Sequence, residues 1–159
     1  MRIVWILISL VFSNSLFSQN ELATQLQQII GDTANHFQKF KGKLEEFAVP
    51  DSSHCYSNIT LEGTKENTIY TNRTSCDYYA DIVNSANKTE GKRTFAEWKS
   101  KLITVLGSAY KIEKYKSIDG KVDGWYFTRG NLYIAIYLRH SVWDKSLYVV
   151  SLSISYSVK

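Results

Sequence analysis

Proline occurs once in this 159-residue chain, at Pro50, and no strong excess of either charge is present. Disordered chains are rich in proline and poor in aromatics, whereas eleven tyrosines and four tryptophans supply the apolar surface needed to fold. Nineteen Lys and Arg against fifteen Asp and Glu give a formal charge of +4, with lysines and acids interleaved along most of the chain. Nucleic-acid binders carry a basic stripe, so no nucleic acid is expected as partner. Long apolar runs are missing too. The one run of note, Ile3 to Phe12, falls well short of the roughly twenty residues that span a hydrocarbon core, so no stable membrane span is expected in the mature chain. There is no Walker loop, dinucleotide fingerprint, EF-hand loop or Gly-x-Ser-x-Gly elbow, so motifs assign no catalytic residue, metal or cofactor.

The short apolar run has a positive reading. Arg2 precedes it, and the small residues Ser13, Ser15 and Ser18 follow it, which is the layout of a cleaved secretory signal peptide over residues 1–18. Cleavage after Ser18 leaves Gln19 first; Ser13-Asn14-Ser15 fits the small-x-small rule better, so both sites stay open. The expectation is export, to the periplasm or the medium. Removing residues 1–18 from 159 leaves 141, and losing Arg2 lowers the charge to +3. That length suits a single domain over residues 19–159.

Cys55 and Cys76 are the only cysteines, and an even pair in an exported chain is expected to form a disulfide. Zinc is the competing reading, with His54 beside Cys55, but adjacent strand side chains diverge and two ligands do not make a four-ligand site.

Periodicity supplies the elements. Leu22, Leu26, Ile29, Thr33, Phe37, Phe40, Leu44 and Phe47 recur every three or four residues, which predicts one long amphipathic helix from Asn20 to Phe47, weakened at Gly31 and Gly42. Short β-prone runs follow at His54 to Leu61, Asn67 to Thr71 and Cys76 to Val83. Asn84 to Arg93 is polar and reads as a loop. Thr94 with Glu97 forms a capping box that starts a second helix, buried through Phe95, Trp98, Leu102, Val105 and Leu106 and stopped by Gly107. Period-two alternation then predicts strands near Ala109 to Ser117, Val122 to Thr128, Leu132 to His140 and Ser146 to Tyr156. A two-residue Gly130-Asn131 turn pairs Phe127 with Ile134 and Trp125 with Ile136, and the same core face continues as Leu138 with Val150, Ile136 with Leu152 and Ile134 with Ile154.

The fold class is therefore α+β: an antiparallel sheet of about six to seven strands with two helices on one face. Residues Phe37 to Leu44 and Phe95 to Leu102 share Phe, an aromatic, two lysines and Leu at identical spacing. That match admits two α-βββ half-repeats; the competing reading is chance likeness of two amphipathic helices.

Three histidines exist, His36, His54 and His140, and none has a partner motif for hydrolysis. Asp77, Asp81 and Glu113 read as solvated acids. The uncovered side of the sheet is more informative. It should carry Tyr126, Thr128, Tyr133, Tyr137 and Arg139, joined by Tyr115, and tyrosine gives contact area with a polar tip at low entropic cost. Trp143, in the loop before the last strand, is a second candidate contact. These residues point to a non-catalytic module that binds a protein, peptide or glycan; the alternative is a small periplasmic or secreted hydrolase with a non-standard site around His140. Sequons at Asn58, Asn72 and Asn87 would accept glycans in a eukaryotic host.

The leader ending Leu16-Phe17-Ser18-Gln19, the segment Phe37-x-x-Phe40-Lys41-Gly42-Lys43, and the strands with Tyr56-Ser57-x-Ile59-x-Leu61-x-Gly63 and Tyr78-Tyr79-Ala80 resemble small uncharacterised exported bacterial proteins. The resemblance covers nearly the whole mature chain and implies a helix-plus-antiparallel-sheet fold with no activity to carry over. Cys76, placed after the second predicted strand, departs from that pattern.

Overall fold

Period-two burial in one half of the chain and period-3.6 burial in two segments resolve into a layered α+β structure. The computed structural model describes residues 20–44, 53–72 and 74–157. The expected signal peptide lies outside them, as does Phe47. Helix α1 covers 20–31 and is followed by 3-10 turns at Thr33–Asn35 and Gln38–Phe40. Four strands come next: β1 (Lys41–Leu44), β2 (Ser53–Ser57), β3 (Glu66–Thr71) and β4 (Cys76–Ala86). Helix α2 (Lys88–Leu106) and a 3-10 turn at Gly107–Ala109 lead into β5 (Lys111–Lys116), β6 (Val122–Arg129), β7 (Leu132–His140) and β8 (Tyr148–Tyr156).

All eight strands form one antiparallel sheet in the order β1-β2-β3-β4-β8-β7-β6-β5. Each half of the chain is thus a helix followed by a four-stranded meander, and the last strands of the two halves meet at the centre. The expected sheet of six to seven strands gains a strand because Lys41–Leu44, assigned to the first helix, is extended and pairs with β2. Among the described residues, no helix is long and apolar enough to cross a membrane.

The register expected for the last three strands is observed: Phe127 opposes Ile134, Trp125 opposes Ile136, and Ile134, Ile136 and Leu138 oppose Ile154, Leu152 and Val150. Gly130 takes φ +60°, as a two-residue turn requires. One row of side chains crosses five strands on the core face, Ile69, Tyr78, Ile154, Ile134 and Phe127, and every member is fully buried. Both helices cover this face. Leu22, Leu26 and Ile29 from α1 and Trp98, Leu102 and Leu106 from α2 belong to the same cluster. Lys99 caps its edge, with its ammonium 3.5 Å above the Trp125 ring.

Two helix boundaries differ from expectation. The first helix stops at residue 31 because Asp32, itself buried, captures the following chain: its carbonyl accepts from Asn35 N and Phe37 N, and its carboxylate accepts from Lys39 N at 2.9 Å. His36 and Phe37 then adopt left-handed φ of 56° and 55°, which turns Phe37 into the core 6.1 Å from the Tyr78 ring. Leu44, read as part of the helical stripe, is exposed on β1. The second helix starts earlier than Thr94. Asn87 is its N-cap, with its side-chain oxygen accepting from Glu90 N at 3.0 Å, so the expected loop over Asn84 to Arg93 is strand and helix instead. Gly91 is buried there because a Cβ would fall 2.9 Å from Tyr148 Cβ. The Phe37–Leu44 and Phe95–Leu102 match therefore does not reflect equivalent structure, since the first is turn and strand and the second is helix.

The expected disulfide is absent: Cys55 and Cys76 are free and buried. Strand spacing gives the reason. Cys55 is on β2 and opposes Ile69, Cys76 is on β4 and opposes Thr71, and β3 lies between them. Two strand spacings are about 10 Å, beyond the reach of a disulfide. The Cys76 thiol instead contacts Thr71 Oγ1 at 3.0 Å and donates to the His36 carbonyl at 3.2 Å.

Candidate functional site

With both helices on one side, alternation sends every second strand residue to the opposite, uncovered face. The strand register defines its rows. Tyr56, Thr68, Tyr79, Ser153, Ala135 and Tyr126 cross the sheet in one row; Tyr70, Asp77, Ser155, Tyr133 and Thr128 form the next; Asp81, Ser151, Tyr137, Gly124 and Tyr115 form a third. Central strand β8 contributes only serines to these rows. Aromatic side chains rise on either side of it, Tyr79 from β4 and Tyr133 and Tyr137 from β7, separated by about two strand spacings, or roughly 10 Å. Ser151, Ser153 and Ala135 are buried beneath the flanking rings, while Tyr79 and Tyr133 stay 40% and 42% exposed.

On the β5 side the rings organise one another. Tyr115, Tyr126 and Tyr137 pack edge to face, with centroids 5.3 Å, 6.0 Å and 6.4 Å apart. The Tyr137 hydroxyl donates to the Tyr126 hydroxyl at 3.4 Å. Gly124 makes room for this cluster, since a Cβ there would lie 3.0 Å from the Tyr137 ring. Burial first, then the neighbouring Tyr126, pushes the Tyr137 phenol far above its usual pKa, so it stays a neutral hydrogen-bonding group. Burial likewise raises Tyr79, helped by Asp77 and Tyr70.

Acids and one arginine line the ends of the serine strand. Burial raises the Asp81 carboxyl and the nearby Arg139 guanidinium pulls it back. Arg139 also lines a cleft of about 520 Å³ with Asp119, Lys121, Val122, His140 and Lys145. His140 there stacks on Tyr148, centroids 4.4 Å apart, and its Nδ1 lies 2.7 Å from the Lys145 carbonyl. No serine, threonine or cysteine is among the residues lining the cleft, and the serines flanking it in sequence are engaged: the Ser117 hydroxyl donates to Asp119 at 2.6 Å, the Ser146 hydroxyl donates to Asp144 at 2.7 Å, and the Ser141 hydroxyl accepts from Trp143 N at 3.3 Å. No group of three or more metal-ligating side chains occurs among the described residues.

Of the residues singled out from sequence, Tyr126, Tyr133, Tyr137 and Arg139 share the uncovered face, with Tyr115 beside them. Trp143 does not fold back on the core; it stands 96% exposed on the loop between β7 and β8. Tyr79 and the serines of β8 escaped the sequence reading. Tyr79 alternates correctly within Cys76 to Val83, but its place on the same surface depends on β4 pairing with β8, which no local pattern reveals. Of the sequons, Asn58 lies past the end of β2 instead of within a strand, and its side chain donates to the Lys41 carbonyl at 3.1 Å. Compared with protein-family models, curated proteins and solved structures, the chain matches none.

Proposed function

We propose that this chain is an exported, non-catalytic binding module whose uncovered sheet face takes a protein, peptide or glycan segment. One observation carries the reading: two helices seal one side of an eight-stranded sheet, and the other side concentrates tyrosines around a strip of serines. Rings that pack mutually edge to face are held in place before any ligand arrives, so little side-chain entropy remains to be lost on binding. Exposed Tyr79 and Tyr133 supply flat apolar area; the Ser155 hydroxyl, Asp77 and Arg139 supply directional polar contacts. Such a mixture suits a peptide or a chain of sugar rings, whose faces are apolar and whose edges hydrogen-bond.

Peptide and glycan arrays probed with the wild type and with Tyr79→Ala/Tyr133→Ala test the reading. Both tyrosines lie outside the core, so folding should survive, as circular dichroism can verify. Hits that fall by about ten-fold or more in the variant, the scale of losing two aromatic contacts, support the assignment. Hits unchanged by the variant contradict it. Chemical turnover of a bound ligand, lost on His140→Ala, would instead favour the hydrolase reading.

A further inference from the structure

The three most exposed large apolar side chains among the described residues are Ile118, Trp143 and Val142, at 110%, 96% and 64%. All three sit at one end of the sheet. Val122 opposes Arg139 and His140 opposes Tyr148, so the β5–β6 loop and the β7–β8 loop project side by side.

Neither loop is slack. In the first, the Ser117 hydroxyl donates to Asp119 at 2.6 Å and accepts from Val122 N at 2.9 Å, and Asp119 also accepts from Lys121 N at 3.1 Å. In the second, the Ser141 hydroxyl accepts from Trp143 N at 3.3 Å, Asp144 accepts from Ser146 N at 2.8 Å, and Leu147 N donates to the Asp144 carbonyl at 3.1 Å. The two loops share one plan: a serine opens the turn, an aspartate closes its backbone, and the residues between present aliphatic or aromatic side chains to solvent. Asp119 and Asp144 are held by their own turns and stay charged, Asp119 also pairing with Lys121 at 3.1 Å, so three basic side chains, Lys121, Arg139 and Lys145, stand against these two acids at this end. Behind the apolar tips lies the cleft lined by Lys121, Arg139, His140 and Lys145 together with Asp119 and Val122.

We propose that this end of the molecule docks on an anionic lipid surface, with Ile118, Val142 and Trp143 entering the headgroup and upper acyl layer and Lys121, Arg139 and Lys145 meeting lipid phosphates. Charge complementarity selects this occupant, since basic side chains near a surface of negative potential are attracted cooperatively with apolar insertion. Shape selects it over a protein partner. Three apolar side chains projecting from two hydrogen-bonded tips, Ile118 on one and Val142 and Trp143 on the other, need a soft, featureless phase, whereas protein interfaces bury a contiguous patch. Tryptophan in particular favours the membrane–water boundary. This docking shares Arg139 with the uncovered face but does not depend on its tyrosines.

The test is co-sedimentation of the full chain with vesicles of phosphatidylcholine alone and of phosphatidylcholine with about one-third phosphatidylglycerol. Any contribution of residues 1–18 is common to all variants, so the readout is the difference between them. The wild type should partition preferentially to the anionic vesicles and release with salt. Ile118→Ala/Trp143→Ala should weaken partition about ten-fold or more, and Lys121→Gln/Lys145→Gln by roughly twenty-five-fold, at about five-fold per charge. Brominated acyl chains should quench a fluorescence component that Trp143→Phe removes, more strongly in anionic than in zwitterionic vesicles. Equal partition of wild type and variants, or binding without Trp143 quenching, overturns the proposal. So does tight binding of inorganic phosphate that vesicles cannot displace, which would make the cleft a free-anion site, or loop-dependent capture of a protein by a chain that ignores both vesicles.

Discussion

Burial pushes the Cys76 thiol above its ordinary pKa, with the Thr71 hydroxyl pulling the other way. A covered, protonated thiol is a poor nucleophile, so a thiol-specific reagent should label neither cysteine in the folded protein. In denaturant without reductant it should titrate both; finding none would mean a disulfide and would contradict the placement of β3 between them. Asp81 offers a pH-dependent counterpart. Its folded pKa is raised, chiefly by burial, so the folded state binds more protons than the unfolded one and stability falls as pH climbs through the raised value. Asp81→Asn should therefore raise the melting temperature at pH 7 and leave it nearly unchanged at pH 3, where the carboxyl is protonated in both states; the reverse pattern would show the Arg139 attraction outweighing burial. At this scale the sequence was most readable where period two is strict. Tyr126, Tyr133, Tyr137 and Arg139 could be assigned to one face from alternation alone, whereas the pairing of Cys55 with Cys76 rested on cell compartment, and compartment says nothing about which strands lie between two thiols.

Element boundaries depend on contacts that sequence windows do not contain. The apolar stripe from Leu22 continues past residue 31 with apparently helical spacing, yet Phe37 reaches the core through a left-handed turn held by Asp32. Spacing of three and four cannot distinguish a helix from such a sequence of turns. The start of α2 was hidden for a related reason. Gly91 and its polar neighbours look like a loop, but the glycine is where the helix lies against Tyr148. Alanine in a helix gains about 1 kcal/mol over glycine in isolation. Here the added methyl would press on Tyr148 Cβ, which cannot swing away, and overpacking of that kind costs roughly 1–3 kcal/mol. Gly91→Ala is thus expected to lower stability in urea denaturation; a gain would show that α2 can lift off the sheet without penalty.

Across the whole molecule, two helix-plus-four-strand halves are joined through β4 and β8. Hairpins were legible because a turn fixes the register of neighbours in sequence, but the central seam joins strands far apart in the chain, and neither strand declares its partner. Leu152 sits in that seam, fully buried between Ala80 and Ile136. Leu152→Ala should cost about 2–5 kcal/mol, and because it touches both halves, circular dichroism and tryptophan fluorescence should still report one coincident unfolding transition. Two separate transitions would mean that the halves fold independently. The same seam assembles the tyrosine surface, placing Tyr79 of one half across the serines of β8 from Tyr133 of the other, so binding is a property of the joined sheet. The most direct check is tyrosine-selective chemical labelling read by mass spectrometry, with the folded protein alone and after incubation with its native exported fraction. The account predicts labelling of Tyr79 and Tyr133 but not of buried Tyr78 in the free protein, and loss of label at Tyr79 and Tyr133 together once ligand is bound. Protection elsewhere, with these two tyrosines labelled as before, would contradict it.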